Sequence, residues 1–349
     1  MRAGIIGARG AGKSTIFHAL TGIGPAAAGT QSDSRNRARP GQIKVRDPRL
    51  DELESIYGSK KKVPVELTLL DFAPNPKEQK EGAALDPSLL PLVRDLDALL
   101  MVIPSFSGNV ADFATAFKAI EDELVFADFD QAERRLERLK KDKGGSDFER
   151  ASLAKLIEWL ESGAPLRQLE ISPQEEKAFS SFGFLSRKPA LAIVNCDIDT
   201  AATPVEADAE IAKARGVDVF RLAAAFEAEL WELSPAEQAE LLRDAGLSGP
   251  AGDRLVSALY DRLGLITFYT AGEPEAHAWP LKRGESALEA GGVIHTDIAR
   301  GFIRAEVVGY EDFVRLRSDA KVKEAGKLRL EGRDYVMHDG DIIHIRFKV

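Results

Sequence analysis

Eight residues near the start of the chain, Gly7-Ala8-Arg9-Gly10-Ala11-Gly12-Lys13-Ser14, match the pattern G-x-x-x-x-G-K-[ST], and Thr15 follows. Such a loop works only between a buried strand and a helix. Both are present: residues 3–6 form a short apolar run, and residues 13–20 carry helical spacing. The glycines let backbone N–H groups turn inward around a phosphate, and the helix N-terminus adds positive potential. Gly7, Arg9, Gly10, Ala11, Gly12, Lys13, Ser14 and Thr15 are therefore the expected phosphate-binding residues. Lys13 would reach the β- and γ-phosphates, and the Ser14 hydroxyl would ligate Mg²⁺. The expected cofactors are ATP or GTP with Mg²⁺.

The rest of the chain extends this reading. Apolar runs at 65–70, 98–104, 190–195 and 218–222 show little alternation, as parallel strands covered on both faces do. Helical segments such as 13–20 and 111–123 lie between them, which gives a doubly wound, mostly parallel α/β domain. From about 128 to 182 that rhythm breaks. Ala132, Leu136 and Leu139 recur at helical spacing, and so do Leu153, Leu156, Ile157 and Leu160. Ser146 and Glu149 read as a capping box for the second helix, with Gly163 as its stop. This predicts an inserted helical hairpin. Ser172-Pro173 and Ser234-Pro235 each start a further helix. From about Leu265 the pattern turns to short strands at 265–270, 302–310, 327–330, 335–337 and 342–347, which make a small α+β domain. The expected organisation is a P-loop domain at 1–127 and 183–264, a hairpin at 128–182 and a C-terminal domain at 265–349.

Two further site residues follow from the strand ends. Asp71 closes the run 65–70 and is the candidate acidic partner of the Mg²⁺. Asn195 closes the run 190–195 and is the candidate brace of a base-binding loop; in Asn195-Cys196-Asp197-Ile198-Asp199 the fourth position is Ile198, so the base-reading carboxylate stays open. The single cysteine, Cys196, excludes an internal disulfide and fits a reducing compartment, most simply the cytoplasm. No apolar run is long enough to span a membrane. The net charge of −9 excludes a general nucleic-acid binder, so any RNA contact must come from local basic patches. One such patch is Arg134, Arg135, Arg138, Lys140, Lys141 and Lys143, interleaved with Glu133, Glu137 and Asp142. It reads as either an RNA contact or a solvated helix face.

Taken in order, the motifs resemble the YchF-type subfamily of Obg-like P-loop GTPases and ATPases. The resemblance covers essentially the whole chain. It runs from the P-loop through Asp47-Pro48-Arg49-Leu50-Asp51, Glu133-Arg134-Arg135-Leu136-Glu137-Arg138-Leu139 and Leu263-Gly264-Leu265-Ile266-Thr267. It continues in Thr270-Ala271-Gly272, Ala278-Trp279, Ile294-His295-Thr296-Asp297, Gly301-Phe302-Ile303-Arg304-Ala305-Glu306-Val307, Glu324-Ala325-Gly326-Lys327 and Asp339-Gly340-Asp341. The resemblance implies a G domain, a coiled-coil-like insertion and a C-terminal TGS domain of ubiquitin-like β-grasp fold. It also implies slow hydrolysis of ATP or GTP and association with ribosomes or RNA, for which the basic hairpin and the TGS-like domain are the candidate surfaces. A cytoplasmic monomer without membrane attachment is expected.

The departures fall in the switches. Where the family resembles D-x-A-G-L, this chain reads Asp71-Phe72-Ala73-Pro74-Asn75, and Pro74 has no N–H to offer a γ-phosphate. Where the family has a His implicated in hydrolysis, Leu92 stands, which can neither orient a water nor move a proton. No switch threonine can be assigned between Gly29 and Pro40. The expectation is a nucleotide binder with weak or absent hydrolysis. The alternative is an active ATPase or GTPase with a rearranged second switch; a small-molecule P-loop kinase fits the TGS-like tail and Asn195 less well.

Overall fold

The computed structural model describes residues 1–24, 38–72, 83–141, 146–247 and 249–348. The chain divides into two compact units, Met1–Ile43 with Thr68–Leu255, and Lys44–Leu67 with Val256–Val349.

The first unit is built on one sheet. Its strands are β1 (Arg2–Ile6), β2 (Ala38–Lys44), β4 (Glu66–Phe72), β5 (Ala98–Phe106), β6 (Asn109–Val110), β7 (Ala190–Cys196) and β8 (Asp218–Leu222). The order is β2-β4-β1-β5-β7-β8, with the short β6 folding back on β5. The pairings β1–β4, β1–β5, β5–β7 and β7–β8 are parallel. Every residue of β7 is buried, which is why that strand reads as a continuous apolar run rather than an alternating one. The P-loop helix α1 (Lys13–Thr21) follows β1 and stops at Gly22, whose φ of 71° the left-handed cap needs.

The insertion departs from the expected outline in one respect. Helix α4 runs unbroken from Phe113 to Lys141, so the expected boundary at 127/128 falls inside a helix. Asp128, which looks like an interruption, is fully buried in it. Its carboxylate accepts from Leu185 N (2.8 Å), Ser186 N (2.7 Å) and Ser186 Oγ (2.8 Å), and Arg94 sits beside it at 3.1 Å. Burial pushes this carboxyl upward, and those donors hold it back. With α5 (Asp147–Glu161), α4 forms the hairpin, whose apolar seam includes Ala132, Leu139, Leu153, Leu156 and Leu160. Ser146 caps α5 by accepting from Glu149 N, but the reciprocal half of the box is absent: Glu149 is instead held by Arg135 at 2.7 and 3.0 Å. Ser172 and Ser234 do form complete capping boxes, each followed by proline.

The second unit has its own sheet, formed by β3 (Lys62–Val63), β9 (Leu265–Ala271), β10 (Ala276–Lys282), β11 (Phe302–Gly309), β12 (Arg329–Glu331) and β13 (Asp341–Phe347), in the order β12-β11-β13-β9-β10-β3. β9 and β13 are parallel at the centre, flanked by the antiparallel pairs β9–β10 and β11–β13. The helix Ala287–Ile294 packs on one face over Ile266, Phe268, Val307 and Ile343, a β-grasp arrangement. β10 was not expected. The expected strand at 335–337 is only a bridge between Ser286 and Val336.

The segment Lys44–Leu67 also belongs to this unit, although the sequence reading placed it in the P-loop domain. The reason is a set of specific bonds from α2 (Pro48–Tyr57) and its cap. Asp47 holds Arg49 and accepts from the Tyr269 hydroxyl, and Arg49 also reaches Asp339 at 2.6 Å. Tyr310 donates to Glu52 at 2.6 Å, and Tyr57 donates to Asp319 at 2.9 Å while stacking on Phe313. Leu50 and Leu53 are buried beneath.

Candidate nucleotide-binding site

The loop from Gly7 to Gly12 takes its shape from three left-handed glycines, Gly7, Gly10 and Gly12, with φ of 146°, 79° and 88°. At two of them space also forbids a side chain. A Cβ on Gly7 would stand 2.6 Å from the Val102 carbonyl oxygen, and one on Gly12 would stand 2.1 Å from Asn195 Nδ2. Helix α1 has no side-chain cap and no acidic residue in its first turn, so its leading N–H groups stay uncapped by any side chain, as an anion site requires. Lys13 Nζ donates to the Gly7 and Ala8 carbonyls at 2.8 Å each, which folds the ammonium over the loop. Burial lowers its pKa from the usual lysine value, and nearby Asp71 opposes the shift. Arg9 is exposed at the loop tip.

Asp71 lies on β4 with only 7 % of its surface exposed. Burial raises its pKa; the neighbouring Ser14 hydroxyl and the charges of Lys13 and Arg39 act the other way. Its Oδ1 is buried with no hydrogen-bond partner among the described residues. An exposed hydroxyl beside a carboxylate with a spare oxygen fits Mg²⁺, which takes one or two protein ligands and completes its shell with waters and phosphate oxygens. Among the described residues no cluster of three His, Cys, Asp or Glu could hold a metal by itself.

Asn195 sits at the end of β7, buried, and bridges two loops. Its Nδ2 donates to the Ala11 carbonyl at 3.1 Å, and its Oδ1 accepts from Ala224 N at 3.4 Å. Of the two carboxylates flanking Ile198, Asp197 is committed to Ser107, accepting from its N–H at 2.7 Å and its Oγ at 2.6 Å. Asp199 is exposed on the turn Ile198–Thr200.

Several positioning residues escaped the sequence reading because their partners are distant in the chain. Asn109 Nδ2 donates to the Gly10 carbonyl at 3.2 Å from the β5–β6 turn. The Ala84 carbonyl accepts from Gly7 N at 3.2 Å, and Glu123 of α4 fixes that stretch by accepting from Ala84 N at 2.8 Å and Leu85 N at 2.9 Å. The Ser-Gly turn at 107–108 was the only local signal for Asn109. Arg39, at the exit of the expected first switch, donates to the carbonyls of Ile23 and Gly24 at 2.8 and 2.7 Å and lies over the Phe17 ring. Leu92 lies on the short helix α3 (Leu90–Arg94), partly exposed. Pro74, the expected switch threonine region before Ala38, and Lys143 lie outside the described residues.

Comparisons with known proteins agree with this architecture. The family model YchF-GTPase_C, described as "Protein of unknown function (DUF933)", matches residues 265–348. The chain is 36 % identical over 361 residues to "Ribosome-binding ATPase YchF" of Pasteurella multocida, covering 100 % of this chain and 99 % of the relative. It is 36 % identical over 365 residues to the protein of the same name from Bacillus subtilis, with full coverage of both. Among solved structures, that of the Schizosaccharomyces pombe YchF GTPase superposes with a TM-score of 0.85 at 26 % identity, covering 99 % of this chain and 97 % of the other.

Proposed function

The chain belongs to the YchF family, and from that premise we propose that it binds ATP or GTP with Mg²⁺ at the Gly7–Ser14 loop, associates with ribosomes or RNA, and hydrolyses the nucleotide weakly or not at all. One observation carries the nucleotide reading: the cradle is shaped in advance, with Gly12 held so close to Asn195 that no side chain fits between them. Backbone N–H groups of the loop and of the first turn of α1 would hold the phosphates, and Lys13 would exchange its two carbonyls for phosphate oxygens. Ser14 and Asp71 would hold Mg²⁺, which supplies charge neutralisation between the β- and γ-phosphates. Asn195 would brace the loop without touching the base, and Asp199 is the carboxylate available to the base. The Pasteurella and Bacillus relatives are named ribosome-binding ATPases, which supports the same reading here.

The weak-hydrolysis part rests on Pro74 and Leu92, each of which removes a group that would act on the γ-phosphate or the attacking water. The names of the relatives, which call them ATPases, favour the second reading, an active hydrolase with a rearranged second switch. A turnover assay of the full chain with both triphosphates decides between them: rates equal to those of the Bacillus relative measured alongside refute the first. Titration with ATP and GTP tests binding itself, and co-sedimentation with ribosomes, with and without nucleotide, tests the partner. Absence from ribosomal fractions in every nucleotide state rejects that association.

A further inference from the structure

Outside the P-loop, the basic residues of the insertion do not form a uniform stripe. Gln131, Arg134, Arg135 and Arg138 share one face of α4, at the i, i+3, i+4, i+7 spacing, and line a cavity of about 400 Å³ with Leu90 and Arg94 of α3 and with Phe182. Glu133 and Glu137, the residues that made the patch look like an ordinary solvated face, project from the opposite side of the same helix by the 100° step per residue. The cavity thus gathers four arginines against one aspartate, Asp130, and has the volume of a small-ligand site.

Its walls differ in what they leave available. Arg94 is fixed by Asp128 and by the carbonyls of Ala127 and Gly183, and Arg135 is fixed by Glu149. Arg134 pairs only with exposed Asp130, and Arg138 makes no ion pair among the described residues. The apolar wall is Leu90 and Phe182, the latter backed by Phe184 at 5.1 Å between ring centroids. Gln131 Nε2 donates to the Phe182 carbonyl at 2.9 Å, which fixes the orientation of the amide. Its Oε1 is then buried with no partner, and a buried orphan acceptor calls for an explanation.

We propose that this cavity, at the root of the hairpin rather than at its tip, takes one unstacked nucleotide of single-stranded RNA. A base lies against Phe182 and Leu90, while Arg138 and Arg134 take the adjoining phosphates. An aromatic wall beside exposed guanidinium groups matches how proteins hold unpaired RNA bases. A surface for acidic peptides would need the arginines but not the aromatic wall. The proposal rests on the RNA-association reading above and names the site for it.

The test uses the full chain and a labelled mixed-sequence single-stranded RNA 12-mer. The Arg138→Glu variant should lower affinity about tenfold or more, and the slope of log affinity against log salt should shrink by about 0.7 per lost phosphate contact. The tip variant Lys141→Glu should lower affinity less, and a duplex of the same sequence should bind weakly to all forms. Arg138 is exposed and makes no ion pair among the described residues, so the variant's melting temperature should stay put; Arg138→Gln, without the reversed charge, gives a second reading if it does not. Wild-type binding that Arg138→Glu leaves unchanged, or that Lys141→Glu weakens more, overturns the pocket while leaving RNA association standing. A polyglutamate peptide that displaces the RNA at equal charge concentration also overturns it. Wild-type protein that binds neither this RNA nor ribosomes overturns both readings.

Discussion

Removing the side chain of Asn195 separates a brace from a base reader. In Asn195→Ala, the Ala11 carbonyl loses its 3.1 Å partner and Ala224 N–H loses its 3.4 Å partner, and both residues are fully buried. An orphaned buried polar group costs about 1–3 kcal/mol, and the longer bond belongs at the lower end, so the pair costs roughly 2–4 kcal/mol. For a unit of this size that lowers the melting temperature by roughly 5–15 °C. The surviving folded protein has a loop no longer pinned at Ala11, and about tenfold weaker phosphate binding corresponds to about 1.4 kcal/mol. Calorimetric titration with ATP, GTP and inorganic tripolyphosphate, each with Mg²⁺, should show the same loss for all three. The geometry adds a second check. The Gly12 Cβ position lies 2.1 Å from Asn195 Nδ2, so Gly12→Ala should cost less in the Asn195→Ala background than alone. A loss confined to ATP or GTP, with tripolyphosphate unaffected, would refute the brace, as would strict additivity of the two substitutions.

Asp71→Asn should raise the melting temperature by a few degrees while abolishing the gain in triphosphate affinity that Mg²⁺ confers; a raised carboxyl pKa means the folded state favours the proton, so the ionised Asp71 is a net cost at neutral pH. A lower melting temperature for this variant contradicts that reasoning. At Asp47, burial pushes the carboxyl up, but bonds from Arg49 and Tyr269 outweigh it and hold the pKa below the usual value. That stability is present above about pH 4 and lost as pH falls through the depressed folded value. Arg49→Ala should therefore destabilise by about 1.5–3 kcal/mol at pH 7, and the difference from wild type should shrink in denaturation series below pH 4. Leu92→His, at a partly exposed position, should change stability by less than about 0.5 kcal/mol. In turnover assays it should raise hydrolysis only together with Pro74→Gly; a full gain from Leu92→His alone shows that Pro74 is no obstacle.

The parts of the molecule legible in the sequence are those set by local rules. The three left-handed glycines announce the P-loop because no other residue takes those angles cheaply, and β5 and β7 announce themselves because both of their faces are covered. What escaped depends on distant partners. Asp128 looks like a break in a helix until Ser186 and Leu185 are seen to bond it. β10 was missed because His277 and Pro280 sit in it; Pro280 lies in the antiparallel pair with β9. Asp71 and Asn195 could be found as strand ends, yet that Asn195 bonds Ala11, and that Asp197 is taken by Ser107, required the folded chain.

The placement of Lys44–Leu67 fixes where the chain passes between the two units. This segment leaves the first sheet from β2 and returns to it at β4, and those two strands are neighbours there. In sequence, the expected first switch leads into β2, and the expected second switch begins where β4 ends. Both expected switches thus adjoin the two ends of one excursion, whose middle, α2, is held in the second unit by Asp47, Arg49, Glu52 and Tyr57. The excursion is therefore covalently continuous with both units. It also means that cutting the chain before Leu265 would not free a domain, but would leave α2 stranded without Tyr269, Tyr310 and Asp339.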